Sequence, residues 1–305
     1  MKCIKATVFL AILIGLPVTL VFAQKGKMKP VVKVRPIIFA VISDGSTVEP
    51  ITYVEKGKLV QPVSGGEDPA KLVLFNKTYY KPDGIYRLIF GGVNAGTVTI
   101  KSSDPKAECS ANMAEVASVS AKAKLKGNVM ALATNAVAAK KSSGVRRLPT
   151  AAERSEIEAL VRTNLIEENV PQSNAKVLKY QNLTAVDVDS DGVAEMVGTF
   201  WAETSATSRA LLFFIADKNS DGKYAFGFGQ FQNMKQEDVM SGEISSVDSG
   251  VYHERLLDIF DYDDDGVAEI FTYTQSFEGA GFSAYRREGR KWVQAFEGSN
   301  YHCGY

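Results

Sequence analysis

Apolar residues along this chain come in short runs that are separated by turn residues. Five runs lie in the first third, beginning with "VVKVRPIIFAVI" at residue 31, and eight more follow residue 176. Runs rich in Val, Ile, Phe and Tyr between Gly, Pro, Asn and Asp are typical of β-strands. The pattern predicts a mainly β fold, with an N-terminal antiparallel β domain over residues 30–139 and a C-terminal β module over residues 176–305.

Two stretches of the N-terminal domain predict particular pairings. The runs "IYRLIFGG" and "GTVTIKS" lie on either side of "VNA" and predict a hairpin. "LVLFNKTYY" predicts a further strand. "AEVASVSAKAKLKG" and "NVMALATNA" predict two more, although their alanine content leaves a helix open as the alternative.

The segment between the two β regions, residues 140–175, has a different period. It begins with the linker-like stretch "KKSSGVRRLP", and Thr150 and Glu153 then form a capping box, Thr-x-x-Glu. Apolar side chains recur after it at helical spacing: Ile157, Leu160, Val161 and Leu165. We therefore predict one linking α-helix over about residues 151–166.

The first residues predict export. Lys2 and Lys5 precede an apolar stretch, and Val21-Phe22-Ala23 then places small or apolar residues before the expected cut, as in a cleaved signal peptide over residues 1–23. An uncleaved anchor over residues 6–23 is the alternative, since that stretch is nearly long enough to cross a bilayer. With cleavage, no membrane span remains, and we expect a secreted, periplasmic or cell-surface protein.

Cysteine usage agrees with export. Three cysteines are present, and removal of the signal peptide would leave Cys109 and Cys303. An even number of cysteines in an oxidising compartment favours one disulfide, here between the middle of the chain and its C-terminus. Two separate thiols are the alternative at this stage.

One acidic phrase occurs twice: "DVDSDGVAE" from Asp187 and "DYDDDGVAE" from Asp261. Both have Asp at positions 1, 3 and 5, Gly at position 6 and Glu at position 9. An aromatic-rich strand, an irregular segment and a predicted hairpin follow each phrase. The chain therefore contains an internal repeat of about 40 residues, and repetition at this length is typical of stacked or blade-like sheets.

The spacing of the carboxylates predicts a metal. Alternate oxygens in a tight loop can face one point, and glycine allows the positive-φ bend that wraps the chain around it. Hard oxygen ligands in this number suit Ca²⁺, so we predict two Ca²⁺ sites; an exposed acidic turn is the alternative. The candidate ligands are Asp187, Asp189, Asp191, Val193 (backbone) and Glu195 in one loop, and Asp261, Asp263, Asp265, Val267 (backbone) and Glu269 in the other.

The loops do not match an EF-hand, which needs Glu at position 12 and flanking helices; position 12 is Gly198 in one copy and Thr272 in the other. Asp-x-Asp-x-Asp-Gly-x-x-Glu before a hydrophobic strand instead resembles the calcium loop of FG-GAP/VCBS repeats, the units of integrin α-chain propellers. The resemblance covers residues 183–200 and 257–273, and more loosely 177–305. It implies the ligand sets given above. The Phe-Gly and Gly-Ala-Pro signatures are missing, and two units are too few to close a propeller.

A third acidic stretch, "DKNSDGK" over residues 217–223, has Ala225 at its ninth position and predicts only a hairpin turn. The two histidines outside the signal, His253 and His302, lie in no ligand or catalytic motif, so no catalytic residue is predicted. The formal net charge is zero and no recognition motif is present, so nucleic acid is not an expected partner.

We therefore expect an exported, calcium-stabilised β protein, not an enzyme, that acts as a binding, adhesion or envelope-associated module. Its partner is an unknown protein or glycan ligand. A secreted carbohydrate-active enzyme with structural calcium is the alternative.

Overall fold

The computed structural model describes residues 34–137 and 144–303. The predicted signal peptide and residues 140–143 of the predicted linker lie outside the described residues. Within them the chain forms three antiparallel sheets and four α-helices, which confirms the predicted mainly β fold.

The first sheet closes on itself. Its strands run in the order β1-β7-β4-β5-β6-β2-β3, and β1 also pairs with β2, which completes a ring of six strands. The elements of this region are β1 (Ile37–Ile42), β2 (Thr47–Glu55), β3 (Lys58–Val60), α1 (Pro69–Tyr79), β4 (Ile85–Phe90), β5 (Val93–Ser102), β6 (Ala114–Ala121) and β7 (Ala131–Thr134).

One prediction in this region is wrong: "LVLFNKTYY" is not a strand but the greater part of helix α1. The Asp68 side chain accepts a hydrogen bond from the Ala70 N–H at 2.7 Å, and Pro69 occupies the first turn, so the helix starts with two favourable residues. The buried side chains recur at helical spacing: Leu72, Phe75, Asn76 and Tyr79. The predicted β4–β5 hairpin is confirmed, and both Ala-rich runs contain strands, β6 and β7.

The second and third sheets are meanders, in which each strand pairs with the next along the chain. The second has the order β12-β11-β10-β9-β8 and the third β13-β14-β15-β16. Their elements are β8 (Arg146–Arg147), α2 (Ala151–Glu167), α3 (Gln172–Ala175), β9 (Lys179–Val186), β10 (Glu195–Ser205), β11 (Ser208–Lys218), β12 (Tyr224–Lys235), α4 (Ser245–Asp248), β13 (Glu254–Phe260), β14 (Glu269–Gln275), β15 (Gly279–Glu288) and β16 (Lys291–Tyr301).

The linking helix is confirmed as α2. The Thr150 hydroxyl accepts from the Glu153 N–H at 3.2 Å, and the Glu153 carboxylate accepts from the Thr150 N–H at 2.7 Å, so the predicted capping box is complete. All eight strands expected after residue 176 are present. The one-turn helices α3 and α4 were not predicted, because four residues are too few to show a helical period.

Apolar side chains fill the two spaces on either side of the third sheet. Ile38, Leu132 and Phe282 belong to a cluster between the first and third sheets. Tyr285 and Phe213 belong to a cluster between the second and third sheets. The cluster inside the first sheet and the one beneath α2 are separate. The third sheet therefore buries apolar side chains on both of its faces. Each fully buried large side chain stabilises the fold by about 1.5–3 kcal/mol.

The chain end is tied to the first sheet. Cys109 and Cys303 form a disulfide across 194 residues, as predicted. Beside it, Glu49 of β2 accepts hydrogen bonds from Asn300 at 2.7 Å and from His302 at 2.6 Å. Among the described helices, none combines the length and hydrophobicity that crossing a membrane requires.

Candidate metal centres

The two acidic phrases occupy equivalent places in the second and third sheets, each between the first two of four consecutive long strands. Loop 1, residues 187–195, joins β9 to β10, and loop 2, residues 261–269, joins β13 to β14. Their backbones are left-handed at the same two positions, the fourth (Ser190, φ 60°; Asp264, φ 64°) and the sixth (Gly192, φ 84°; Gly266, φ 92°). Glycine adopts such a φ without strain, which explains its place at position 6.

Each loop brings three aspartates together. One carboxylate oxygen from each residue lies within 4.8 Å of the others, and the first aspartate of each group is buried while the third is exposed. Across residues 34–137 and 144–303, these are the two acidic groups that could hold a metal ion. They are Asp187, Asp189 and Asp191 in loop 1, and Asp261, Asp263 and Asp265 in loop 2.

Hydrogen bonds within the loops hold the aspartates in this arrangement. The first aspartate reaches across the loop to the glycine N–H, at 3.1 Å from Asp187 to Gly192 and 2.9 Å from Asp261 to Gly266. The fifth-position aspartate accepts from the N–H two residues later, at 2.7 Å from Val193 and 2.8 Å from Val267. A side chain that bonds its own backbone in this way stabilises a turn, so both loops are shaped by their aspartates.

The ninth-position glutamates lie outside the two aspartate groups. Glu195, at the end of loop 1, accepts a hydrogen bond from the Val188 N–H near the start of the loop at 3.0 Å. This hydrogen bond links the two ends of the loop. Glu269 is 1% exposed, and its Oε2 is buried without a hydrogen-bond partner. Glu195 thus closes loop 1 through a backbone hydrogen bond, and Glu269 is held by Arg286, while the aspartates form the convergent oxygen groups of both loops.

Two consecutive arginines on β15 serve the two loops. Arg287 donates to Asp189 at 2.6 Å and to Glu195 at 2.5 Å in loop 1. Arg286 donates to Asp263 at 2.7 Å and to Glu269 at 3.1 Å in loop 2. Successive side chains of a strand point to opposite faces, so one dipeptide reaches both loops. In each loop the arginine joins the third and ninth positions.

The electrostatics of the loops disfavour their negative charge. Burial raises the pKa of Glu195 to about 7, although the Arg287 charge lowers it. Burial, followed by the charge of Asp263, raises the pKa of Glu269 to about 8. Burial also raises the pKa of Asp261. A bound cation would reverse this effect, because it attracts the charged form of every carboxylate around it.

A cation therefore fits the residues present. In loop 2 the Oδ1 atom of Asp263 and the Oε2 atom of Glu269 are both buried without a partner. A buried carboxylate oxygen in that condition loses its hydration without compensation. Only oxygen donors line the loops, and these suit a hard divalent ion.

The two loops touch one another. The Ala268 N–H of loop 2 donates to the Val188 carbonyl of loop 1 at 2.8 Å. Both side chains pack in the cluster between the second and third sheets, together with Tyr285 and Trp292. The candidate metal centres are thus neighbours at one edge of this interface.

The sequence did not indicate Arg286 or Arg287, or the part that Asp217 takes in loop 1. Asp217 accepts from Arg287 at 2.7 Å and from the Trp292 indole N–H at 2.9 Å. The stretch 217–223 forms the predicted turn, and Gly222 supplies its positive φ of 76°. A cleft of 470 Å³ opens beside loop 1, and its lining includes Glu195, Asp217 and Arg287.

Comparison of the chain with known protein families, with curated proteins and with solved structures finds no match.

Proposed function

We propose that this chain is an exported calcium-binding β protein that acts by binding a partner, with Ca²⁺ ordering loops 1 and 2. One observation carries the proposal. Two loops that are left-handed at the same two positions each bring three aspartate oxygens within 4.8 Å of one another. Like charges held this close repel one another unless a cation lies between them.

The choice of Ca²⁺ rests on coordination chemistry. Ca²⁺ accepts six to eight oxygen ligands at irregular angles, whereas Mg²⁺ needs a near-ideal octahedron and keeps several waters. Three aspartates with a backbone carbonyl at position 7 and a glutamate at position 9 offer an irregular, oxygen-rich shell. The spacing is that of FG-GAP/VCBS loops, and we propose that loops 1 and 2 are loops of that type.

The contacts of the acidic residues support a binding role. The conspicuous carboxylates are held by loop N–H groups and by Arg286 and Arg287, an arrangement suited to structure more than to catalysis. The Cys109–Cys303 disulfide supports an oxidising compartment outside the cytoplasm. We therefore propose a secreted, periplasmic or cell-surface module whose ligand is a protein or a glycan.

Calorimetric titration of the purified full chain with CaCl₂, together with melting curves in CaCl₂ and in chelator, tests the proposal. We expect two ions per chain and a clear rise in Tm, and Asp189→Ala and Asp263→Ala should each lower the Tm more in CaCl₂ than in chelator. Asp221→Ala is the matched control, because Asp221 lies in the acidic turn that lacks a ninth-position glutamate. Absence of calcium uptake would refute the proposal.

A carbohydrate-active enzyme is the second candidate, and the cleft beside loop 1 is the observation in its favour. Glu195 and Asp217 line it together with Phe226, so two carboxylates and an aromatic ring face the same space. Paired carboxylates of this kind can hydrolyse glycosides. Turnover of a glycan by the wild type that Asp217→Asn abolishes, while calcium uptake persists, would favour this candidate over a pure binding module.

A further inference from the structure

Loops 1 and 2 share their spacing of acidic residues and their two left-handed positions, but they differ in the number of carboxylate oxygens without a hydrogen-bond partner. The comparison concerns the third- and ninth-position carboxylates, which an arginine joins in both loops. Any difference between the two loops at these positions bears on how readily each accepts a cation.

In loop 1, all four oxygens of these two carboxylates accept hydrogen bonds. Asp189 accepts from the Asp191 N–H at 3.3 Å and from Arg287 at 2.6 Å. Glu195 accepts from the Val188 N–H at 3.0 Å and from Arg287 at 2.5 Å. Arg287 is largely buried, with 18% of its side chain exposed, and it also binds Asp217. A cation that uses Asp189 or Glu195 must therefore compete with an internal cation.

In loop 2, two of the four oxygens have no hydrogen-bond partner. Arg286 takes one oxygen of Asp263 and one of Glu269, and leaves the Oδ1 of Asp263 and the Oε2 of Glu269 buried and unpaired. Glu269 is 1% exposed, so water does not hydrate this carboxylate freely. A cation can bind these oxygens without breaking a hydrogen bond, and it removes their desolvation penalty.

We infer that the two calcium sites are unequal: loop 2 is the tight site and loop 1 is the weak site, because backbone N–H groups occupy in loop 1 the two oxygens that stay unpaired in loop 2. The inference rests on the proposed function. A hydrogen bond to a charged group that must be broken corresponds to about a tenfold loss of affinity or more. The arginines are positioning residues, since they act on the ion through the carboxylates that they hold.

Titration of the full chain with CaCl₂ by calorimetry tests the inference. We expect two classes of site whose Kd values differ about tenfold or more. Asp265→Asn, which keeps the shape of its side chain, should remove the tight class, and Asp191→Asn should remove the weak one. Since these variants are isosteric and change one exposed residue each, the assignment does not depend on a drastic substitution.

Substitution of the arginine provides the second arm. Arg287→Gln should tighten the weak class about tenfold, because it frees oxygens of Asp189 and Glu195 for the ion. Arg290→Gln is the matched control: Arg290 is exposed and lines the same cleft, so the same charge is lost nearby. If Arg287→Gln does not fold, the two isosteric variants still decide the order of the sites.

The outcomes separate this inference from the proposed function. No calcium uptake would refute both. Two sites of equal affinity, or loss of the tight class in Asp191→Asn, would overturn the inference and leave the calcium-binding function standing. Equal tightening by Arg287→Gln and Arg290→Gln would show that net charge, and not the hydrogen bonds of Arg287, sets the affinity.

Discussion

Replacement of Glu269 by glutamine should stabilise the metal-free protein, and calcium should offset most or all of that gain. Glu269 is almost fully buried in loop 2, with one oxygen bound to Arg286 and the other without a partner. Glutamine keeps the shape and an acceptor for Arg286, but it carries no charge. It therefore removes an unfavourable buried charge from the metal-free protein and a strong ligand from the calcium-bound one.

The magnitude follows from the pKa of Glu269, which burial raises from 4.5 to about 8. An acid whose pKa is higher in the folded state binds more protons there, so the stability of the metal-free protein falls as the pH rises from 4.5 to about 8. Fully developed, the penalty is about 5 kcal/mol, which is an upper value for the gain from Glu269→Gln in chelator.

Urea unfolding at about pH 8, in chelator and in CaCl₂, measures both effects. In chelator the variant should be the more stable protein, by about 2–5 kcal/mol, and its stability should vary less between pH 4.5 and 8. In CaCl₂ it should also lose the stabilisation that a ligand at about a thousand times its Kd supplies, about 4 kcal/mol. This loss offsets the gain, so the variant should be at most about 1 kcal/mol more stable than the wild type in CaCl₂. Exposed Glu297 on β16 is the control position for the same substitution. Equal destabilisation in both buffers would refute this reasoning.

Three further predictions concern other parts of the fold. Joint replacement of Cys109 and Cys303 by alanine should lower the free energy of unfolding by about 4–5 kcal/mol, because a 194-residue loop is then open in the unfolded chain; unchanged urea midpoints would contradict this. Burial lowers the pKa of His302, but the hydrogen bond and charge of Glu49 outweigh burial and raise it above 6.5. Protonated His302 thus stabilises the fold below pH 6.5, and the Tm difference between wild type and His302→Gln should shrink as the pH rises above 6.5; a difference that grows with pH would oppose the assignment. Thr150→Ala should lower stability by about 1 kcal/mol through loss of the capping box, and Thr150→Ser should restore it.

Features with a local cause were predictable from the sequence. The capping box marked the start of α2, and turn residues separated the strands of both meanders. Helix α1 was missed although its signals are local: Asp68 and Pro69 mark its start, and its buried residues recur at helical spacing. The run of Leu, Val, Phe and Tyr is typical of a strand by composition. The prediction gave this β-propensity more weight than the helical spacing of the apolar residues.

The candidate site divides in the same way. The repeated nine-residue phrase was enough to identify the aspartates and glycines of the loops, because a tight loop is built from residues that are neighbours in the sequence. Arg287 lies 98 residues from Asp189 and 92 from Glu195, and nothing in "YRREGR" indicates a loop that distant. Its role depends on the pairing of β14 with β15, which places adjacent side chains of one strand next to both loops.

The third sheet explains why the long-range restraints lie where they do. It packs against the first sheet on one side and the second on the other, so both interfaces depend on its position. Strand pairing places loop 2 near Tyr285 at one end of this sheet and Tyr301, which precedes the disulfide, beside Gly279 at the other. A covalent bond thus holds one end and a proposed ion the other. The disulfide and the proposed ion share no partner residue, so their contributions to the free energy of unfolding should be additive. Each can therefore stabilise the third sheet when the other is absent. The proposed ion should matter most at the end of the sheet that lies farther from the disulfide.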